Sequence, residues 1–177
     1  MIKDKSTVVM FFDVSTVSTG WATMDLSGKL LKYGAINPKG EVPERLVETR
    51  KQTVALLQVH QPTFIGIEDM IAFRNGKITK LLNYFSGVVY EACYEYNQNE
   101  VYFIASSSIK KYIDINSRAL RAQGYTQVGI KELIVKQIEE RFNIVMDKTT
   151  TNYRDMADAI AGVGKLYATV KDFNQGE

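Results

Sequence analysis

The sequence has little cysteine, proline or histidine, and it has no long apolar run. Its 177 residues include one cysteine, three prolines and one histidine. The single cysteine, Cys93, excludes an internal disulfide framework and a cysteine-based zinc cage. The apolar run at 8–12 is far too short for a signal peptide or a membrane span, so we expect a cytoplasmic protein. Nothing resembles an interdomain linker, and we expect one domain over residues 1–177.

The chain also carries little net charge. It has 22 Lys and Arg against 20 Asp and Glu, which gives a formal charge of +2. With 45% hydrophobic and 24% charged residues, the composition is that of an ordinary globular protein. The charge is unevenly spread, because residues 70–80 contain three basic side chains and no acid, while residues 105–131 contain five basic side chains and one acid. The small total is therefore an average over basic segments and a net acidic remainder.

Short apolar runs alternate with stretches of helical periodicity. The runs predict strands at 7–13, 20–24, 29–36, 64–68 and 101–105. Apolar residues three or four positions apart predict helices at 43–60, 77–96, 128–142 and 152–170. Residues 106–129 are the least regular part, and we predict a short helix and a mobile loop there. This order is typical of an α/β fold with a mixed sheet covered by helices.

Acidic residues close two of the predicted buried strands. Asp13 ends the first strand and Glu68 ends the fourth, and Asp155 and Asp158 are one turn apart on the last helix. A carboxylate at the end of a buried strand is costly to desolvate unless it is paired or holds a metal. Each acid alone is commonly a turn, capping or surface residue. The combination favours a metal site, and oxygen ligands without histidine or cysteine favour Mg²⁺ or Mn²⁺.

The segment that follows the first acid carries a more specific pattern. Residues 13–21, Asp-Val-Ser-Thr-Val-Ser-Thr-Gly-Trp, place a glycine seven residues after the acid. This segment resembles the first-strand motif of the RuvC family of Holliday junction resolvases. Ile-Gly-Ile-Glu at 65–68 resembles the second acidic strand of that family, and Asp-Met-Ala-Asp at 155–158 resembles its C-terminal acid pair.

The resemblance implies a fold, an activity and a set of site residues. The implied fold is ribonuclease-H-like, an α/β fold with a mixed five-stranded sheet in which three antiparallel N-terminal strands precede parallel ones, flanked by helices. The implied activity is nicking of four-way DNA junctions by a homodimer that uses two Mg²⁺ ions (or Mn²⁺) per active site. The implied catalytic and metal-binding residues are Asp13, Glu68, Asp155 and Asp158.

The sequence departs from the usual family pattern at two places. Val14-Ser15 follows the first acid where the cellular family has Pro-Gly. Ile71 stands where the family has an aromatic residue that stacks on an unpaired base, and Phe73, two residues later, is a candidate substitute. We therefore expect a divergent member of phage type, which would act in the cytoplasm of the host cell.

The basic segments supply the candidate contacts to DNA. Lysine and arginine side chains neutralise phosphates, and an aromatic ring stacks on an exposed base. The predicted DNA-binding residues are Phe73, Arg74, Lys77, Lys80, Lys110, Lys111, Arg118, Arg121 and Lys131. His60, the only histidine, is predicted to be a helix-end residue without a catalytic role.

The predicted helix at 77–96 has more apolar surface than one buried face requires. Tyr84, Tyr90 and Tyr94 lie beyond its main stripe, and a homodimer interface would use them.

Other functions remain open at this point. One is a ribonuclease-H-like nuclease that acts on forks, flaps or RNA–DNA hybrids. Another is a non-catalytic junction-binding protein. A nucleotide-binding domain of the actin-like type is disfavoured, since that fold needs a longer chain with two such domains.

Overall fold

A computed structural model describes residues 7–69, 76–97 and 101–175. The strands are β1 (Val8–Val14), β2 (Thr19–Asp25), β3 (Leu30–Ile36), β4 (Phe64–Asp69) and β5 (Val101–Ala105). The helices are α1 (Val42–His60), α2 (Gly76–Asn97), α3 (Ser106–Tyr112), α4 (Ser117–Ala122), α5 (Gln127–Phe142) and α6 (Tyr153–Gln175). Most bounds lie within two residues of the predicted ones, while α6 continues five residues beyond its predicted end.

The five strands form one sheet in the order β3-β2-β1-β4-β5. The β1–β2 and β2–β3 pairs are antiparallel, and the β1–β4 and β4–β5 pairs are parallel. This is the predicted mixed five-stranded sheet, with three antiparallel strands followed by parallel ones. The parallel arrangement brings the carboxyl ends of the central strands, β1 and β4, to the same edge of the sheet.

Strand β1 is buried on both faces of this sheet. Successive side chains of a strand point to opposite faces. Val9 and Phe11 therefore pack into a core formed with helices α3, α5 and α6, whereas Met10 and Phe12 pack into a second core formed with α1 and α2. The continuous apolar run that predicted this strand is thus explained by helices on both of its faces.

The prediction of a short helix and a loop over residues 106–129 is confirmed in part, since α3 is the short helix. The structure places a second short helix there, α4, between α3 and α5. Ile109, Ile113 and Ile115 are buried in the larger core and anchor this segment. The Asn116 side chain accepts a 3.0 Å hydrogen bond from the backbone N–H of Ala119 and caps α4.

Three further sequence features are accounted for by the structure. Gly28 adopts a positive φ of 85° in the hairpin loop between β2 and β3, a backbone conformation that favours glycine. His60 is the last residue of α1, and its ring packs 5.1 Å from the ring of Trp21. Within the described residues, no helix combines the length and the apolar character needed to cross a membrane.

Candidate acidic active site

The two strand acids meet at one edge of the sheet. Phe12 of β1 is paired with Ile67 of β4, so Asp13 and Glu68 come next on the two parallel strands. Because side chains alternate between faces, Asp13 follows Val9 and Phe11 onto the face covered by α6. Glu68 lies on that same face, and its side chain forms a hydrogen bond with that of Asp13.

Helix α6 brings the other two acids to the same place. Asp155 and Asp158 lie in its first two turns, and their side chains are 24% and 22% exposed. One carboxylate oxygen from each of Asp13, Asp155 and Asp158 lies within 4.8 Å of the other two. Glu68 lies outside this three-residue group but lines the same cavity, whose volume is about 240 Å³. The structure therefore brings all four predicted acids together.

A glycine allows α6 to approach the sheet this closely. Gly20 of β2 is the cross-strand partner of Asp13, and a Cβ built on Gly20 would lie 2.1 Å from the carbonyl oxygen of Asp155. Any other residue would push the first turn of α6 away from β2. The seven-residue spacing between Asp13 and Gly20 therefore has a structural reason. Gly20 is paired with Asp13 and lets the helix that carries Asp155 pack closely against the sheet.

Lys131 is the cation that balances these acids in the described structure. Its Nζ lies 3.3 Å from Asp155 Oδ1 and 3.1 Å from Asp158 Oδ2. Burial alone would lower the pKa of Lys131, but the charges of Asp158, Asp155 and Asp13 outweigh it and hold that pKa above its usual value. Lys131 was predicted as a DNA contact, and its position in the cluster makes it first of all the counter-ion of the acids.

The environment of the cluster disfavours ionisation of Asp13 and Asp158. Burial raises the pKa of Asp13 well above its usual value, and the hydrogen bond and the charge of Glu68 raise it further. Burial also raises the pKa of Asp158 to about 6, against the opposing charge of Lys131. A divalent cation would relieve this repulsion, and an all-oxygen donor set suits Mg²⁺ or Mn²⁺. The residues present therefore fit such an ion.

An open, basic groove adjoins the acidic cavity. Its volume is about 840 Å³, and it shares Ser106 and Lys110 with the acidic cavity. The groove is lined by the α3–α4 region, where its basic residues are Lys110, Lys111, Arg118 and Arg121. The structure thus brings four of the predicted DNA-binding residues to one surface beside the acids.

The other predicted contacts lie elsewhere or outside the description. Lys77 and Lys80 lie on the first turns of α2, on exposed positions that do not line the groove. Lys80 Nζ lies 5.9 Å from the centre of the Tyr84 ring. Phe73 and Arg74 lie outside the described residues, as does Ile71, so their predicted roles stay predictions.

Sequence reasoning missed two serine residues of the site. Ser15 lines the acidic cavity, and the Ser18 hydroxyl donates a hydrogen bond to Asp155 Oδ2. Both belong to the run of small hydroxyl residues that follows Asp13. The signal available in the sequence is the run of small hydroxyl residues between Asp13 and Gly20.

The sheet order, with acids at the ends of its two central strands and on the helix that covers them, defines a ribonuclease-H-like nuclease fold. The model of the family "Crossover junction endodeoxyribonuclease RuvC" matches residues 9–163 of the chain. The chain belongs to this family, and the predicted enzyme class, an endodeoxyribonuclease of the Holliday junction resolvase type, is confirmed. The acidic cluster is compatible with a metal-dependent nuclease.

Solved structures of low sequence identity share the fold. RuvC of Thermus thermophilus in complex with a Holliday junction substrate superposes with a TM-score of 0.72 at 15% identity, over 93% of this chain and 96% of that one. Another structure of T. thermophilus RuvC gives a TM-score of 0.68 at 17% identity, over 93% and 97% of the two chains. The yeast mitochondrial Holliday junction resolvase gives 0.57 at 15% identity, over 96% of this chain and 82% of that one. No curated protein sequence matches the chain significantly.

Proposed function

We propose that the chain nicks Holliday junctions by Mg²⁺-dependent hydrolysis of a phosphodiester, with Asp13, Glu68, Asp155 and Asp158 as the metal-binding and catalytic residues. The observation that carries this proposal is the convergence of the four acids in one cavity that opens onto a basic groove. The acids and the groove serve different needs, since hydrolysis requires a cation and binding requires neutralised phosphates.

Asp13 is the candidate ligand shared by two ions. It lies on a central strand, which is a rigid platform. Its side chain forms a hydrogen bond with Glu68, and one of its carboxylate oxygens lies within 4.8 Å of an oxygen of Asp155 and an oxygen of Asp158. Glu68 would hold one ion, and Asp155 and Asp158 would hold the other. When bound, such ions supply Lewis acidity that offsets the charge developing on the phosphodiester oxygens. Mn²⁺ is a chemically suitable replacement, since it accepts the same oxygen ligands.

The basic groove would guide one DNA strand to the acids. Lys110 lines both the groove and the acidic cavity, and its Nζ donates a 3.0 Å hydrogen bond to Ser106 Oγ. Lys111, Arg118 and Arg121 extend the positive surface away from the acids. Lys77, Lys80 and Arg74 are proposed as further phosphate contacts, and Phe73 as a residue that stacks on an opened base.

A homodimer would place two such sites on the two opposed strands of a junction. Tyr84, Tyr90 and Tyr94 of α2 are 46%, 39% and 54% exposed, and Phe103 of β5, 50% exposed, packs 5.4 Å from Tyr90. Aromatic surface of this kind is typical of interfaces. A monomer in sedimentation or light scattering at micromolar concentration would contradict the dimer.

We further propose one domain over residues 1–177 and action in the cytoplasm of the cell, or of the host if the gene is phage-borne.

The decisive test is cleavage of a synthetic four-way junction with Mg²⁺ and with EDTA, by the natural chain and by Asp13→Asn and Glu68→Gln. We expect both variants to lose nicking while gel-shift binding of the junction survives. Cleavage by either variant at the natural rate would show that the site is misassigned.

The same assay separates the other candidate functions. A fork, a flap, a plain duplex and an RNA–DNA hybrid are cut side by side with the junction. Faster cleavage of one of these substrates would assign the chain to a different ribonuclease-H-like activity. Tight junction binding without Mg²⁺-dependent cleavage of any substrate would make it a junction-binding protein.

A further inference from the structure

Both carboxylate oxygens of Asp155 are engaged by side chains from other elements. Oδ1 accepts a hydrogen bond from Lys131 Nζ of α5 at 3.3 Å. Oδ2 accepts a hydrogen bond from the hydroxyl of Ser18, which lies in the connection between β1 and β2, 137 residues away in the chain. Ser18 is only 2% exposed, so water competes little for this contact.

The backbone of Ser18 is itself held in place by Ser15. The Ser18 carbonyl oxygen accepts hydrogen bonds from the Ser15 N–H at 3.0 Å and from the Ser15 hydroxyl at 2.7 Å. In return, the Ser18 N–H donates to Ser15 Oγ at 3.1 Å. The next residue, Thr19, begins β2 and is paired with Val14. These hydrogen bonds fix the turn that carries Ser18, and the turn places the Ser18 hydroxyl against Asp155.

The two partners of Asp155 differ in how they would respond to a bound cation. The ammonium of Lys131 repels a divalent ion, so it competes with the ion for the carboxylates. The hydroxyl of Ser18 is neutral and uses only one acceptor position, while a carboxylate offers about four lone-pair sites. The contact with Ser18 can thus persist when the ion binds, and it orients the carboxylate for that ion.

We propose that Ser18 is a positioning residue, which holds Asp155 in the orientation that binds the divalent cation. This inference rests on the proposed function in one respect, namely that Asp155 is a metal ligand. Groups that hydrogen-bond to a metal ligand typically change metal affinity by about 10- to 100-fold when they are removed. Ser18 acts through Asp155, so its effect is on metal binding and not on the chemistry at saturating metal.

The test is calorimetric titration of the purified full chain with Mn²⁺, without DNA. We expect Ser18→Ala to weaken Mn²⁺ binding by about 10- to 100-fold, and Ser18→Thr, which keeps the hydroxyl, to restore most of the affinity. In cleavage assays, Ser18→Ala should raise the Mg²⁺ concentration for half-maximal rate by a similar factor and leave the rate at saturating Mg²⁺ nearly unchanged.

The matched control is Thr23→Val on β2. Thr23 is fully buried, and its hydroxyl donates a 3.3 Å hydrogen bond to the Lys32 carbonyl oxygen, within the β2–β3 pair. Thr23→Val removes a buried hydroxyl from the strand that directly follows Ser18, and we expect it to leave the Mn²⁺ affinity unchanged. If Ser18→Ala does not fold, Ser18→Cys is titrated in its place, because a thiol has similar size and is a weak donor, and its affinity should fall below that of the serine protein.

The outcomes separate this inference from the proposed function. Natural Mn²⁺ affinity in Ser18→Ala, together with weakened binding in Asp155→Asn, would overturn the role of Ser18 and leave Asp155 as a ligand. Natural affinity in both variants would overturn the ligand assignment itself. Equal weakening in Ser18→Ala and Thr23→Val would show a general structural effect and would also overturn the positioning role.

Discussion

Gly20 lies directly opposite Asp13 in the β1–β2 pair, and its Cα faces the carbonyl oxygen of Asp155. One glycine thus sets the distance between the strand that carries the first acid and the helix that carries the last two. Because a Cβ at this position would meet backbone atoms, the first turn of α6 would have to move. The packing of Gly20 on α6 is therefore part of the acidic site.

We expect Gly20→Ala to destabilise the protein by about 1–3 kcal/mol, the usual range for overpacking, and to weaken divalent-metal binding. Denaturant unfolding and Mn²⁺ titration measure the two effects. Gly87→Ala in α2 is the control, since nothing lies within 4 Å of a Cβ built there. An alanine in that helix should stabilise by about 0.5–1 kcal/mol. Equal stability of Gly20→Ala and the natural chain would contradict the close approach.

Lys131 neutralises Asp155 and Asp158 in the absence of metal, so its removal should lower the free energy of unfolding most when no metal is bound. We expect Lys131→Met to lower the free energy of unfolding by about 1–3 kcal/mol in EDTA, because the acids lose a partly buried partner. Mg²⁺ should reduce this deficit by supplying the missing positive charge. Thermal unfolding of both proteins with EDTA and with Mg²⁺ tests this expectation.

The control for this experiment is Lys136→Met on the same helix. Lys136 forms an exposed pair with Glu140 at 3.7 Å, which should contribute less than about 1 kcal/mol and respond little to Mg²⁺. A deficit of Lys131→Met that is the same with and without Mg²⁺ would show that the lysine and the metal do not serve the same acids.

Lys131 also illustrates where sequence reasoning stops. The strand acids could be predicted, because an acid that ends an apolar run is unusual and parallel strands share an edge. A lysine on an amphipathic helix is normally exposed, and only the packing of α5 against α6 brings Lys131 to Asp155 and Asp158. The positions of these three residues in the sequence do not predict that packing.

The α3–α4 region was predicted only in part, as one short helix and a loop, for a different reason. These helices have seven and six residues, which is shorter than a helix that is stable by itself. They form because Ile109 and Ile113 are buried against the core and because Asn116 caps α4. Six or seven residues are too few to show the helical spacing of apolar residues. Asn116, by contrast, is a residue type that commonly caps helices and could be recognised in the sequence.

The raised pKa of Asp158 predicts a specific dependence of stability on pH. Its pKa in the folded protein is about 6, against about 3.9 in an unfolded chain. Between these values the folded state binds more protons than the unfolded state, so the contribution of Asp158 to stability falls as the pH rises. It is fully present below about pH 4 and is lost above about pH 6.

The measurement is the free energy of unfolding in EDTA across this window, for the natural chain and for Asp158→Asn, which cannot titrate at this position. We expect the stability of the natural chain relative to Asp158→Asn to decrease as the pH rises. Mg²⁺ favours the ionised carboxylate and should reduce or reverse the decrease. A relative stability that increases with pH in EDTA would contradict the raised pKa.

The basic groove should contribute to DNA affinity without affecting the metal site. Arg118 lines the groove on α4, is exposed and lies outside the acidic cavity. If its guanidinium contacts one phosphate, Arg118→Ala should weaken junction binding about fivefold, which corresponds to about 1 kcal/mol. The slope of log affinity against log salt should also become shallower by about 0.9. Gel-shift titrations at several salt concentrations give both quantities, and Mn²⁺ titration should be unchanged.

Lys51→Ala, on an exposed position of α1 across the sheet from α6, removes the same charge and should alter neither quantity. If both variants weaken binding equally, the effect belongs to net charge and not to the groove, because only Arg118 lies on the proposed path of the DNA.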